Sequence, residues 1–333
     1  MLPENLIFII CAPRSGSTLL QRMVGSHAAI YTHPEPHLLT PLYYLGYFDS
    51  VSAAPYDHVN AAQALRELCR ELPQGEEDYL DALRAYAGTL YGRVLGPAGK
   101  RYFCDKTPAY ALVAPFVYKL YPQAKYIVLT RHPLAIHHSV AHSFFAGDYL
   151  GAAAQNPIIS AYVPAIGAFL RQLGDRCVHV RYEDLVQHPT REMARIFTHL
   201  GVQNDPGVVD YGRHHHINKS YGDPMSVNRH TRPVSDSLDT WANDLLARPD
   251  ALAQARHLID DLDPDDLQTW GYPRDTLLQP LEGKTAQKTL SPSLNAYRLK
   301  RQILLSLRHR VRDNALGEAL RKVRYYCDVI LRP

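Results

Sequence analysis

Short apolar runs that end in a turn and then a helical repeat set the pattern of this chain. Leu6 to Cys11 (LIFIIC) carries no charge and is rich in β-branched and aromatic residues. Pro13 bounds the run, so it reads as a buried, central parallel strand rather than a helix. Apolar periodicity resumes from Leu19 to Val24 as a helix. Tyr126 to Thr130 (YIVLT) repeats the strand pattern, with Pro133 suited to the first turn of the helix after it. Cys177 to Arg181 (CVHVR) is a third strand, and Met193 to Leu200 a helix that Gly201 stops. Between these, Ala61 to Leu72 and Glu77 to Leu95 show helical spacing broken by Pro73 and Gly75. An amphipathic helix begins near Ser237. Alternating strands and helices of this kind predict an α/β fold, a P-loop-like central parallel sheet with helices on both faces. The helical stretch from His33 to Gly99 is expected to be an insertion over the active site. Tyr43, Tyr44, Tyr47 and Phe48 in it are candidates either for an apolar acceptor pocket or for a packed helical core.

The turn between the first strand and helix holds the first candidate chemistry. Ser15, Gly16, Ser17 and Thr18 bring hydroxyls and backbone N–H groups to a helix N-terminus, where the helix dipole also favours an anion. The stretch resembles a P-loop without being a Walker A sequence, because Arg14 stands before the glycine and no lysine follows it. A guanidinium can fork onto two oxygens of a phosphate or sulfate, whereas an ammonium acts as a point charge.

At the second junction Arg131 ends the strand, and Ser139 follows eight residues later in the next helix. Ligands of open parallel sheets sit beyond the carboxyl ends of the strands, so both junctions are placed to face one crevice.

Together the two junctions resemble the PAPS-dependent sulfotransferases, whose first motif binds the 5′-phosphosulfate of 3′-phosphoadenosine 5′-phosphosulfate (PAPS) and whose second, an arginine and a serine, holds the 3′-phosphate. The resemblance implies that Arg14, Ser15, Gly16, Ser17 and Thr18 cradle the 5′ side, and Arg131 with Ser139 the 3′ side. DKTP at Asp105 to Pro108 and VRYEDLVQHP at Val180 to Pro189 are similar to segments of the bacterial and tyrosylprotein branches. The resemblance covers about residues 5 to 272. Cytosolic members usually carry lysine at the Arg14 position; the tyrosylprotein branch carries arginine, a glutamate base and a lysine, which match Arg14, Glu35 and Lys106 here. Tyr182 matches a tyrosine that often meets the nucleotide. The loop at 220 to 234 corresponds to one that folds over the nucleotide, so Arg229 and Arg232 are expected at the 3′-phosphate and Ser226 on the 5′ side.

Those positions suit sulfuryl transfer on chemical grounds. The reaction needs a base for the acceptor's hydroxyl proton and cations for charge on the sulfuryl oxygens and leaving phosphate. Glu35 is the first candidate base, with His33 and His37 as competitors, and Arg14 and Lys106 the candidate cations. No metal is required. Two other classes stay open: a P-loop kinase, which would need a Walker lysine and a magnesium-binding acid, and a non-catalytic nucleotide-binding or carrier-docking protein.

Composition narrows this further. With 36 basic and 33 acidic residues in 333, the chain is neither a disordered nor a nucleic-acid-coating protein. No apolar run of membrane-spanning length or signal region is evident, so a soluble, cytoplasmic enzyme is expected. Five cysteines, none in a CxxC pair, read as reduced structural thiols. Three histidines at 214 to 216 lack an i, i+4 partner with a carboxylate and argue little for metal. Charge is uneven: residues 284–333 hold 12 Lys or Arg against 3 Asp or Glu. The chain therefore divides into a sulfotransferase domain at 1–283 and a basic helical C-terminal extension at 284–333. That extension is suited to an acyl carrier protein, an anionic membrane surface, a subunit interface in a homo-oligomer, or packing on its own domain. Nothing in the sequence selects among small metabolites, glycans, lipids and carrier-bound acyl chains as the acceptor.

Overall fold

The computed structural model describes residues 2–51, 57–213, 230–235, 238–282, 319 and 323. Its centre is a single sheet of five strands, β1 (Leu6–Cys11), β2 (Ile30–Pro34), β3 (Tyr102–Lys106), β4 (Lys125–Thr130) and β5 (Cys177–Arg181). Their order is β2-β3-β1-β4-β5, and every pairing is parallel. Around it lie α1 (Ser17–Ser26), α2 (Leu39–Tyr43), α3 (His58–Glu71), α4 (Glu76–Ala98), α5 (Ala114–Leu120), α6 (Pro133–Phe144), α7 (Tyr149–Gln155), α8 (Ile158–Leu173), α9 (Tyr182–Gln187) and α10 (Pro189–Leu200), with shorter helices to residue 282.

All six residues of β1 are buried, and the period of two divides them between two cores. Leu6, Phe8 and Ile10 pack with Leu83 and Tyr91 of α4, Phe116 of α5, Leu134 of α6 and Ile166 of α8. Ile7, Ile9 and Cys11 pack with Leu20 and Met23 of α1 and with Ile196 and Phe197 of α10. The helices that follow β1 and β4 thus leave the sheet on opposite faces. Two such neighbouring strands define a topological switch point, and a crevice opens beyond their carboxyl ends.

The three expected strands form as read, and two more join them. β2 and β3 escape an apolar-run template because they end in His33–Pro34 and Asp105–Lys106. Those charged ends of β3 are nonetheless fully buried, since their partners arrive from elsewhere in the fold. Helix α1 starts at Ser17, two residues before the expected Leu19, on a left-handed Gly16 (φ 85°). Glycine at position 25 lets α1 lie on β2: an added Cβ would meet Thr32 Oγ1 at 2.6 Å. The insertion forms helices α2 to α4 as expected, but its aromatic residues pack inward. Phe48 stacks on Tyr43 and lies 4.8 Å from the ring of Phe116, and Tyr47 stacks on Tyr79.

Asp105 anchors this layer to the sheet. Its buried carboxylate accepts hydrogen bonds from Tyr91 Oη (2.6 Å), Thr107 Oγ1 (2.9 Å) and Tyr110 Oη (3.1 Å), and Tyr110 Oη in turn accepts from the Leu39 N–H. Burial still outweighs these donors and pushes the carboxyl up to about 6. Two histidines at the other side of the sheet are shifted by the same cause in the opposite sense. Burial pulls His132 and His179 from 6.5 down to about 4. Arg229, Ser226, the histidines at 214–216 and, apart from residues 319 and 323, the basic C-terminal segment lie outside the described residues. Among the described residues no helix is long and apolar enough to cross a membrane.

Tyr91→Phe keeps the ring against Phe103 and removes one donor to a buried carboxylate, so urea unfolding should show a loss of about 1–3 kcal/mol; unchanged stability would mean that the hydroxyl bond contributes nothing net. The depressed histidines stabilise the fold above pH 6.5, and that contribution is lost as pH falls through their folded values near 4. Asp105 works the other way, gaining as pH falls from about 6 to its ordinary 3.8. Burial holds His137 and His138 near 4 as well, so with four histidines against one carboxyl, denaturation midpoints should fall on acidification from pH 6.5 to 4, and less steeply in His179→Gln.

Candidate active site

The crevice beyond β1 and β4 is a cleft of about 360 Å³, within the range of small-molecule sites. Arg14, Gly16, Ser17 and Thr18 line it from the first junction, Arg131 and Ser139 from the second, and Glu35, Tyr182 and Arg232 from three further segments. Residues separated by more than two hundred positions therefore share one cavity.

The two junctions are bonded to each other directly. Arg14 Nε donates to Ser139 Oγ at 3.0 Å, and Arg131 Nη1 donates to the Arg14 carbonyl at 3.1 Å. Arg131 is held from behind, its own carbonyl accepting from Trp270 Nε1 at 2.9 Å, and its guanidinium lies 4.5 Å from the Tyr182 ring centroid. The same ring covers Gly16. A Cβ at that glycine would come within 2.3 Å of it, so glycine is required both for its φ and for the approach of Tyr182. Two buried polar atoms here have no hydrogen-bond partner: Ser15 Oγ, in a residue without solvent exposure, and Arg131 Nε. Orphaned donors beside a helix N-terminus fit an anion with several oxygens, as the phosphates of PAPS would provide.

Glu35 lines the opposite wall and pairs with Lys106, which, like Ser15, is buried and does not itself line the cleft. Lys106 is fully buried at the end of β3, and its Nζ donates to Glu35 Oε1 at 2.6 Å. Glu35 comes just after β2, which pairs in register with β3, Pro34 opposite Lys106. The carboxylate's second oxygen lies 3.6 Å from His37 Nε2. Gln21 of α1 fixes this segment by donating to the His33 carbonyl at 2.8 Å. Of the two histidines that compete with Glu35, His37 lines the cleft and His33 does not.

Backbone strain marks the same place. Among the described residues four non-glycine residues have positive φ, and three of them, Arg14 (67°), Glu35 (28°) and His37 (51°), face this cleft. Conformations of this kind cost about 1–3 kcal/mol and cluster at functional sites.

Arg232 reaches the cleft from the segment at 230–235, where its Nε pairs with Asp210 Oδ1 at 2.6 Å. Its partner Arg229 lies outside the described residues. Among the described residues none of Tyr43, Tyr44, Tyr47 or Phe48 lines the cleft, nor does any residue of α3 or α4; the stretch from His33 to Gly99 contributes Glu35 and His37. The apolar wall comes instead from Phe144 of α6, Tyr162 of α8, and Pro108 and Ala109 after β3. Phe144 also lies 5.8 Å from the Arg14 guanidinium. Sequence reasoning missed these residues because each sits on a helix or turn whose side facing the cleft is set by tertiary packing; the proximity of Phe144 to Ser139 in one helix was the one available signal.

Comparison with known proteins agrees with this geometry. A model described as "Sulfotransferase family" matches residues 6–206. Nodulation protein NoeE of Sinorhizobium fredii is 30% identical over 264 residues, 72% of this chain, and this chain spans 60% of NoeE's length. A putative protein-tyrosine sulfotransferase of Caenorhabditis briggsae is 24% identical, covering 75% of this chain and 86% of its own length. Among solved structures, the sulfotransferase domain from the Synechococcus PCC 7002 olefin synthase superposes with a TM-score of 0.50 at 24% identity, over 80% of this chain and 93% of that domain, and shares the fold. The parallel sheet, the two bonded strand-to-helix junctions and the match over residues 6–206 place this chain in the sulfotransferase family.

Proposed function

We propose that the cleft binds PAPS and transfers its sulfuryl group to a hydroxyl acceptor, releasing adenosine 3′,5′-bisphosphate. The observation that carries this reading is Glu35, which lines the same cleft as Arg14 and the α1 N-terminus and is held at 2.6 Å by the buried Lys106. It supports a carboxylate base with fixed cations near one reacting centre. Family membership and relatives named as sulfotransferases support it.

In this scheme Ser15, Gly16, Ser17 and Thr18 bind the 5′ end of the donor at the α1 N-terminus. Arg131 and Ser139 hold the 3′-phosphate, Tyr182 packs beside the nucleotide, and Arg232 closes from the segment at 230–235. Glu35 takes the proton as the acceptor oxygen attacks sulfur in line, and the bond from sulfur to the 5′-phosphate oxygen breaks. Arg14 and Lys106 stabilise the charge that gathers on the sulfuryl oxygens and the leaving phosphate. Fixed charges in a water-poor cleft do this without reorganising during the reaction. Lys106 also orients the base, because a buried ammonium holds its carboxylate partner in one place. Phe144, Tyr162, Pro108 and Ala109 give the acceptor an apolar wall, which suits an acceptor with hydrocarbon or aromatic character next to its hydroxyl.

Transfer of labelled sulfate from PAPS to a panel of hydroxyl acceptors, tyrosyl peptides among them, tests the reading, with thermal stabilisation by adenosine 3′,5′-bisphosphate as the binding readout. Absence of stabilisation by that nucleotide would overturn it. Glu35→Gln should lower kcat by about 10²–10⁴ while the nucleotide still binds; wild-type turnover in this variant would remove Glu35 as base. Gly16→Ala should weaken nucleotide binding strongly, since the methyl group displaces Tyr182 from the cradle, and Arg232→Ala should weaken it modestly because that side chain is largely exposed. An unchanged dissociation constant in Arg232→Ala would take that arginine out of the site.

A further inference from the structure

Helix α6 carries a second group of chemistry-bearing side chains that sulfuryl transfer leaves unused. His138 and His142 stand four residues apart on its face, and both direct Nε2 at one oxygen, Oδ2 of Asp244, at 3.5 and 2.8 Å. Asp244 belongs to the helix Thr240–Leu246, which packs against α6. Tyr149 at the start of α7 donates its hydroxyl to the same oxygen at 2.8 Å and lies 3.4 Å from His142 Nε2. One ligand atom from each of His138, His142 and Asp244 falls within 4.8 Å of the others.

These distances are close to those of a coordination shell. With zinc bonds of about 2.0–2.1 Å, tetrahedral donors stand roughly 3.3 Å apart. Two histidines one helical turn apart also point the same way without rearranging the backbone. The carboxylate is oriented for the role. Arg248 Nε lies 3.4 Å from the far oxygen Oδ1, which leaves Oδ2 turned to the imidazoles, the kind of outer contact that fixes metal-binding carboxylates. The same guanidinium repels a second cation, so the site selects ions that gain most from imidazole nitrogen, zinc well ahead of magnesium or calcium. His138 and Asp244 are each about one-fifth exposed and His142 more so, which leaves an ion a path in.

We infer that His138, His142 and Asp244 form a zinc site, with Tyr149 Oη or a water in the fourth position. The ion would not take part in sulfuryl transfer. It would tie α6 to the helix Thr240–Leu246. Ser139, which bonds Arg14, is the neighbour of His138, and Arg232 lies in the described segment that leads toward that second helix. One ion would thus join two walls of the cleft.

Zinc titration of the untagged, EDTA-dialysed full chain in competition with a chromophoric chelator tests this, with cobalt as a spectroscopic probe. One equivalent of zinc should bind, and cobalt should give the intense visible bands of a tetrahedral site. His142→Ala and Asp244→Asn should each weaken zinc binding by more than about tenfold. The half-exposed His142 can be replaced without opening a core cavity, and its metal-free melting curve checks the fold. Zinc should raise the melting temperature of the wild type and not that of His142→Ala. Failure of the wild-type chain to compete for zinc would overturn the site and leave a network closed by hydrogen bonds alone. Wild-type zinc affinity in a His138→Gln/His142→Gln double variant would equally overturn it, placing any bound zinc elsewhere.

Discussion

A lysine without solvent exposure sets the terms for the rest of this site. Burying an ammonium costs several kcal/mol unless a carboxylate and further polar contacts meet it. Lys106 is met by Glu35 at 2.6 Å. To reach it, the chain leaves β2 in register with β3 and then turns through positive φ at Glu35 and His37. The preceding residue, Asp105, is buried too and draws three hydroxyls around itself, which fixes the end of β3 from below. Charge burial thus dictates the strained backbone at one wall of the cleft. In the proposed reaction the same requirement makes the pair useful, because a carboxylate and a cation held this rigidly need little rearrangement during transfer.

The opposite wall meets an inverse demand. Cations and N–H groups gather there: Arg131 donates to the backbone carbonyl of Arg14, and Arg14 donates to the hydroxyl of Ser139. Stacking of Arg131 on Tyr182 and its anchorage to Trp270 hold the arrangement together. The Arg14–Ser139 bond also keeps the two junctions in register, so the cradle is organised before any ligand arrives.

Much of this was legible in the chain. Uncharged runs at Leu6 to Cys11 and Tyr126 to Thr130, each followed by a small-residue or proline-led turn, sufficed to place two strands, two helix N-termini and both arginines at strand ends. β2 and β3 were harder to see, since buried strands that end in His, Pro, Asp and Lys violate the apolar pattern by which buried strands are recognised. The aromatic residues Tyr43 to Phe48 have the composition of a pocket lining yet pack on Phe116 and Tyr79, because ring composition is the same in a core and in a binding wall.

Residue types, their order and their local periodicity therefore established the α/β class and marked the turn at Arg14 and the junction at Arg131 and Ser139 as candidate anion sites, while Glu35 and Lys106 became candidates through the resemblance to the tyrosylprotein branch. The pairing of those residues was decided by tertiary structure alone. Lys106 and Glu35 are 71 positions apart and Arg14 and Ser139 are 125 apart, joined because parallel strands bring their carboxyl ends to one edge. Asp244 reaches His138 and His142 across about a hundred residues because the helix Thr240–Leu246 packs on α6. Contacts of that span arise from sheet order and helix packing, which no local pattern in the chain encodes.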